Sequence, residues 1–217
     1  MMRTLLDAVA FLTRIPIRTK IAAPGRTAVF LPLLSAVLGT AGAAIYIALS
    51  RAMPNSVAAL VTVVSWTAIA RVHRENRPAR YEGIAIVLTI VARWLAIVNL
   101  ADSHLWEIFI AAQTVPRAAM VALAWVSRPS GTGLGLAFSS TLSSVPALLA
   151  IAQGVAATLA CGARGAVFIF AGCYVVIRFT QWFSYRRIGG INGDSLGATE
   201  QILEPLILAV FTCPSCI

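Results

Sequence analysis

The residues best suited to chemistry stand together near the C-terminus, in the run Arg186-Arg187-Ile188-Gly189-Gly190-Ile191-Asn192-Gly193-Asp194-Ser195-Leu196-Gly197-Ala198-Thr199-Glu200. Glycines let backbone N–H groups approach a phosphate closely. Arginines grip phosphate oxygens through two nitrogens at once. Asp194 has the chemistry to hold Mg²⁺, which takes one or two carboxylates and completes its shell with phosphate and water. The same residues read equally well as a basic loop with a glycine turn and with Asp194 as a helix N-cap.

A second glycine-rich loop, Arg128-Pro129-Ser130-Gly131-Thr132-Gly133-Leu134-Gly135, is expected on the same face of the protein. It follows no strand, which excludes the dinucleotide-binding fingerprint. It reads either as a flexible loop or as one that closes over a substrate. Arg93, Arg117 and Arg178 fall inside apolar segments. Charges placed there usually face the protein interior and mark a site. Arg117 and Arg178 lie toward the ends of their segments, where long side chains also reach out to the headgroup region. His73 sits in a very basic stretch, and no Ser/His/Asp or Cys/His constellation is visible. Cys213-Pro-Ser-Cys216 is a lone pair of thiols where a zinc site needs four ligands, so it reads as a tail.

These residues must be held by elements that lipid covers. Of 217 residues 59% are hydrophobic and 12% charged, with a mean hydropathy of +0.85. A soluble domain carries about twice that share of charge. The formal net charge of +9 suits loops facing anionic lipid, or phosphate-bearing substrates, and nucleic acid is excluded as a partner for want of a watered basic surface.

Apolar segments near the length of a membrane span are expected at about 28–50, 57–70, 84–101, 105–126, 145–160, 166–183 and 202–217. The predicted fold is an all-α polytopic bundle of about seven transmembrane helices, one domain over 1–217. Within it, 1–27 forms an amphipathic segment on the membrane surface, since Leu5, Val9 and Leu12 share one helical face. Numbering the connections alternately puts Arg3, Arg14, Arg18, Lys20, Arg26, Arg71, Arg74, Arg77, Arg80, Arg128, Arg186 and Arg187 on one side, against Arg51 and Arg164 on the other. Basic residues favour the cytoplasmic side, so the N-terminus is expected there and the chain in the cytoplasmic (inner) membrane.

Four stretches resemble a known family. They are Phe11-Leu12-Thr13-Arg14-Ile15-Pro16; Phe30-Leu31-Pro32-Leu33 leading to Gly39; Arg117 followed by Gly133-Leu134-Gly135 and Phe138; and Gly189-Gly190, Gly193-Asp194 and Gly197-Ala198. In this order they look like the cobalamin (5'-phosphate) synthase family, also called adenosylcobinamide-GDP ribazoletransferase. The resemblance implies that a ribose hydroxyl of ribazole, or of its phosphate, attacks the pyrophosphate of adenosylcobinamide-GDP and expels GMP with Mg²⁺ as cofactor. It implies Asp194 as metal-binding and catalytic residue and Glu200 as a second catalytic carboxylate. Arg14, Arg117, Gly189, Gly190, Gly193 and Gly197 would bind the substrate. A homo-oligomer is left open.

One motif departs. Where the family carries His-x-Asp-Gly-x-x-Asp-x-x-Asp-Gly, this chain reads from Arg71 to Gly83 with His73 but no aspartate after it, and the stretch looks shortened. Gln201 stands at the spacing of the family's C-terminal glutamate, and Glu200 comes one residue early. A second reading follows: a catalytically impaired membrane homologue that binds corrinoid or acts as a scaffold.

Overall fold

A computed structural model describes residues 2–12, 24–69, 79–100 and 104–213. Its helices are α1 (Met2–Leu12), α2 (Leu31–Ser50), α3 (Asn55–Ile69), α4 (Ala79–Val98), α5 (Leu105–Val126), α6 (Leu134–Thr141), α7 (Ser144–Ala160), α8 (Ala163–Ile188) and α9 (Gly193–Val210). A 3₁₀ turn at Pro24–Phe30 leads into α2. Among the described residues, β structure is limited to an isolated parallel bridge between Pro129 and Ile191.

Helix α5 is the axis of the bundle, with α2, α7 and α9 packed around it. Of its most apolar 18-residue window 83% is buried, against 22% for α8. The sequence explains why neighbours can come so close. A Cβ at Gly39 of α2 would lie 2.6 Å from the Phe109 carbonyl, and one at Gly154 of α7 would lie 2.3 Å from the Ala118 Cβ. Lipid gives no hydrophobic push between helices, so small residues that bring backbones together supply the packing. On α2, Gly42 lies under the Trp66 ring, whose Nε1–H donates to Leu38 O at 3.2 Å. Phe109 then stacks with Tyr46 and tilts against Trp66.

Among the described residues three helices are long and apolar enough to cross a membrane: Pro24–Ser50, Leu105–Val126 and Ala163–Ile188. A fourth arises if α6 and α7, bent by 105° at their junction, count as one span. The all-helical membrane-type bundle is thus found, but the count by length falls short of seven. Hydropathy does not tell lipid from protein as the neighbour. Helix α3, with 15 residues, covers only about 22 Å of a hydrocarbon layer about 30 Å thick. The last expected span also starts elsewhere. Its helix begins at Gly193, nine residues before the apolar run, so the Gly193-Asp194 pair opens a helix instead of lying in a loop.

Helix α1 packs on the 3₁₀ turn, with Ala8 and Leu12 buried beside Leu31 and Phe138. Leu5, on the face expected to meet the membrane surface, is exposed. Residues 13–23, which hold Arg14, lie outside the described residues, as do His73, Glu75, Asp102 and Cys216.

Candidate functional site

The two glycine-rich loops, far apart in sequence, are laced together. Ser130 N–H donates to Ile191 O at 2.7 Å, and Ile191 N–H donates to Arg128 O at 2.9 Å. The Ser130 hydroxyl donates to Ile188 O at 2.7 Å, and Arg128 N–H donates to the Tyr185 hydroxyl oxygen at 2.7 Å. This lacing requires glycine at 190, where a Cβ would sit 2.6 Å from Arg128 O. Gly189 ends α8 in the left-handed conformation, with φ 72°. Gly135, early in α6, presses on the start of α9, since its Cβ would lie 2.3 Å from Gly193 N.

Helix α9 therefore starts inside a ring of backbone. Its N-cap is Asn192, not Asp194: the Asn192 side chain accepts from Ser195 N–H at 3.0 Å. Ser195 Oγ also donates to Asn192 Oδ1 and lies 2.7 Å from Ser184 Oγ of α8. Asp194, partly buried, takes the first turn, where the positive end of the helix dipole favours an anion. Gly197 follows one turn on, with nothing within 4 Å of where a Cβ would be. Of the four glycines expected to bind substrate, it alone combines open space with an ordinary helical φ. The other three are accounted for by the lacing, the left-handed cap and the contact with Gly135.

A second layer lies deeper. Glu200 and Glu204, one turn apart on α9, meet arginines from two other helices. Glu204 pairs with Arg93 of α4 through one oxygen and accepts from Arg117 Nη1 of α5 through the other. Arg117 Nη1 also donates to Gln113 O at 3.3 Å. Arg117 Nε lies 2.5 Å from Glu200 Oε1, an ion pair by distance whose N–H is not aligned as a hydrogen bond. The side chains of Arg93, Arg117 and Glu204 are 9%, 3% and 4% exposed, while that of Glu200 is 17% exposed and so forms the open edge. A buried charge must be matched, and two cations against two carboxylates leave this group neutral.

The expected site residues thus fall into two groups. Asp194, Gly189, Gly190, Gly193 and Gly197 form the loop layer. Arg117 and Glu200 belong to the ion-pair layer, about 9 Å further along α9 from Asp194 and about 120° around it. Arg14 lies outside the described residues. From sequence, Arg93 stands out as an intramembrane charge and Glu204 as one of the carboxylates near the cytoplasmic face, but neither acquires a role. The available signal was the Glu200/Glu204 spacing of one helical turn on a segment that also had to satisfy arginines.

Arg186 and Arg187 lie over the exposed rings of Trp182 and Phe183, at 4.6 and 5.0 Å. With Phe179 and Tyr185, also exposed, they form the aromatic and basic belt that membrane–water boundaries favour. Among the described residues no three of His, Cys, Asp and Glu converge on a metal position. Mg²⁺ takes as few as one or two carboxylates, so a site on Asp194 would have to draw its remaining ligands from phosphate and water.

The family model described as cobalamin-5-phosphate synthase matches residues 4–75 and 81–212, with a break that falls inside the Arg71–Gly83 stretch. The chain is 27% identical over 235 residues to an adenosylcobinamide-GDP ribazoletransferase of Pseudomonas syringae pv. syringae (strain B728a), covering 93% of this chain and 95% of that one. It is 25% identical over 239 residues to the protein of that name from Ralstonia pickettii (strain 12J), covering 95% and 93%. A third relative of the same name, from Klebsiella pneumoniae (strain 342), is 34% identical over 141 residues, covering 62% and 56%. The first two alignments exceed the 217 residues of this chain, so those relatives carry residues that it lacks. No solved structure matches.

Proposed function

This chain belongs to the cobalamin-5-phosphate synthase family, and from that premise we propose that it is an adenosylcobinamide-GDP ribazoletransferase of late cobalamin assembly. A ribose hydroxyl of ribazole, or of ribazole phosphate, attacks the phosphorus on the corrinoid side of the pyrophosphate. The new P–O bond forms as the bond to GMP breaks, the hydroxyl proton goes to solvent and GMP leaves as the anion. The observation that supports this reading is the ring of backbone about the α9 N-terminus, built from two loops that both lie in the family match.

In this reading the α9 N-terminus and the Gly197 backbone receive the pyrophosphate, because helix N-termini favour anions and Gly197 leaves room. Arg117 forms the deep cationic wall, and Glu200 is the carboxylate at its open edge. Arg14, outside the described residues, is assigned to substrate binding by its place in the family match alone. Asp194 would hold Mg²⁺, which would supply charge neutralisation on the pyrophosphate. Incubation of reconstituted protein with Mg²⁺, adenosylcobinamide-GDP and ribazole phosphate tests the reading. GMP release is the expected result, and its absence overturns it.

The protein crosses the inner membrane with its N-terminus and the glycine loops on the cytoplasmic side. Helices α3 and α4 complete the crossings by presenting apolar stripes to lipid, on α4 through Ile84, Val87, Leu88, Val91 and Leu95. One observation favours the second reading, a non-catalytic corrinoid-binding or scaffold homologue. The break in the family match coincides with the missing aspartates. Corrinoid binding without GMP release would establish it.

A further inference from the structure

We propose that Glu204 and Arg93 are positioning residues that hold Arg117 in place for the phosphates of the substrate; this rests on the phosphate-binding role proposed above for Arg117.

An arginine side chain is long and loses considerable rotamer entropy when fixed in one place. Arg117 is held at two points: Glu204 takes Nη1 and Glu200 stands at Nε. The two carboxylates are not equivalent. Glu204 is sealed inside, whereas Glu200 is the most exposed of the four charged side chains. An anion seated on the Gly197 backbone, one turn before Glu200, meets the Glu200 edge and competes there for Arg117, while Glu204 stays behind the guanidinium and keeps it from following.

Arg93 has a second task, set by charge. Without it, Arg117 alone would face Glu200 and Glu204, leaving a net negative charge beside a site meant for a polyphosphate. Arg93, paired with the other Glu204 oxygen, cancels that charge from a third helix. Helices α4, α5 and α9 are thereby tied at one depth, and the orientation of Arg117 depends on residues that touch no substrate.

The test is a double-mutant cycle on binding, which does not require turnover. GDP binding to lipid-reconstituted protein is measured by equilibrium dialysis. Arg117→Lys and Glu204→Asp, each retaining its charge, are expected to weaken GDP binding about tenfold or more, the scale of one charge-assisted hydrogen bond, in protein that is still folded at the assay temperature. The double variant should bind GDP no worse than Arg117→Lys alone, because Glu204 acts through Arg117. Additive losses, or a Glu204→Asp protein with wild-type affinity, overturn the proposal. If Glu204→Asp fails to fold, the neutral replacement of Arg93→Met with Glu204→Leu enters the same cycle under the same criteria. Wild-type protein that binds GDP but releases no GMP refutes the proposed reaction and leaves the cycle readable. Wild-type protein that binds no GDP overturns the inference itself.

Discussion

Glu204 of α9 is closed on Arg117 of α5 inside the bundle, with Arg93 of α4 on its other oxygen. A carboxylate so placed is stable only while both cations remain. Glu204→Ala leaves two buried arginines to share Glu200, and losing one partner of a buried pair costs about 3–5 kcal/mol. A sharply lower thermal midpoint in detergent is the expected outcome. Arg93→Met combined with Glu204→Leu removes one charge of each sign and should restore most of that midpoint.

The lacing of the two loops can be broken at one atom. A methyl group at position 190 would collide with Arg128 O. Gly190→Ala should therefore part the loops, lower stability by about 1–3 kcal/mol and reduce GMP release severalfold or more. The loss should appear in unfolding curves as well as in turnover.

Gly197→Ala separates packing from substrate approach. Nothing occupies the space that its Cβ would enter, and alanine in a helix is favoured over glycine by about 0.5–1 kcal/mol. The variant should be at least as stable as wild type yet bind adenosylcobinamide-GDP more weakly. Unchanged affinity would remove Gly197 from the site.

If Asp194 carries the metal, Asp194→Asn should lower GMP release by about 10²-fold or more and raise the Mg²⁺ concentration needed for half-maximal rate. Chelation with EDTA should abolish wild-type activity, and added Mg²⁺ should restore it. A variant with an unchanged Mg²⁺ dependence would exclude Asp194 as the ligand.

Orientation can be read from the two ends of α8. Its 26 residues span about 39 Å, enough to cross a bilayer. Ser130 is bonded to the last turn of this helix, and Gly162 caps the first. In a cysteine-free background, Ser130→Cys should react with impermeant maleimide only in inside-out vesicles. Gly162→Cys should react only in intact, right-side-out cells. The reverse pattern would invert the proposed topology.

Composition was enough to place the chain among helical membrane proteins, because so few charged residues cannot coat a surface with water. Residue type and order were enough for the family, and for both glycine loops as separate features. Spacing along one chain could not show that Ile191 and Ser130 share hydrogen bonds, since that contact exists only after α8 returns beside α5. Nor could hydropathy separate α5, wrapped by protein, from α8, exposed along its length. The clearest case is the acidic pair of α9. In sequence, Glu200 looked like a partner for Asp194, six residues away. In three dimensions the helix turns Glu200 away from Asp194 and into line with Glu204, where two arginines from other helices neutralise them. An ion pair is decided by which helices pack together at which depth, here α4, α5 and α9, and spacing along one chain does not encode that meeting.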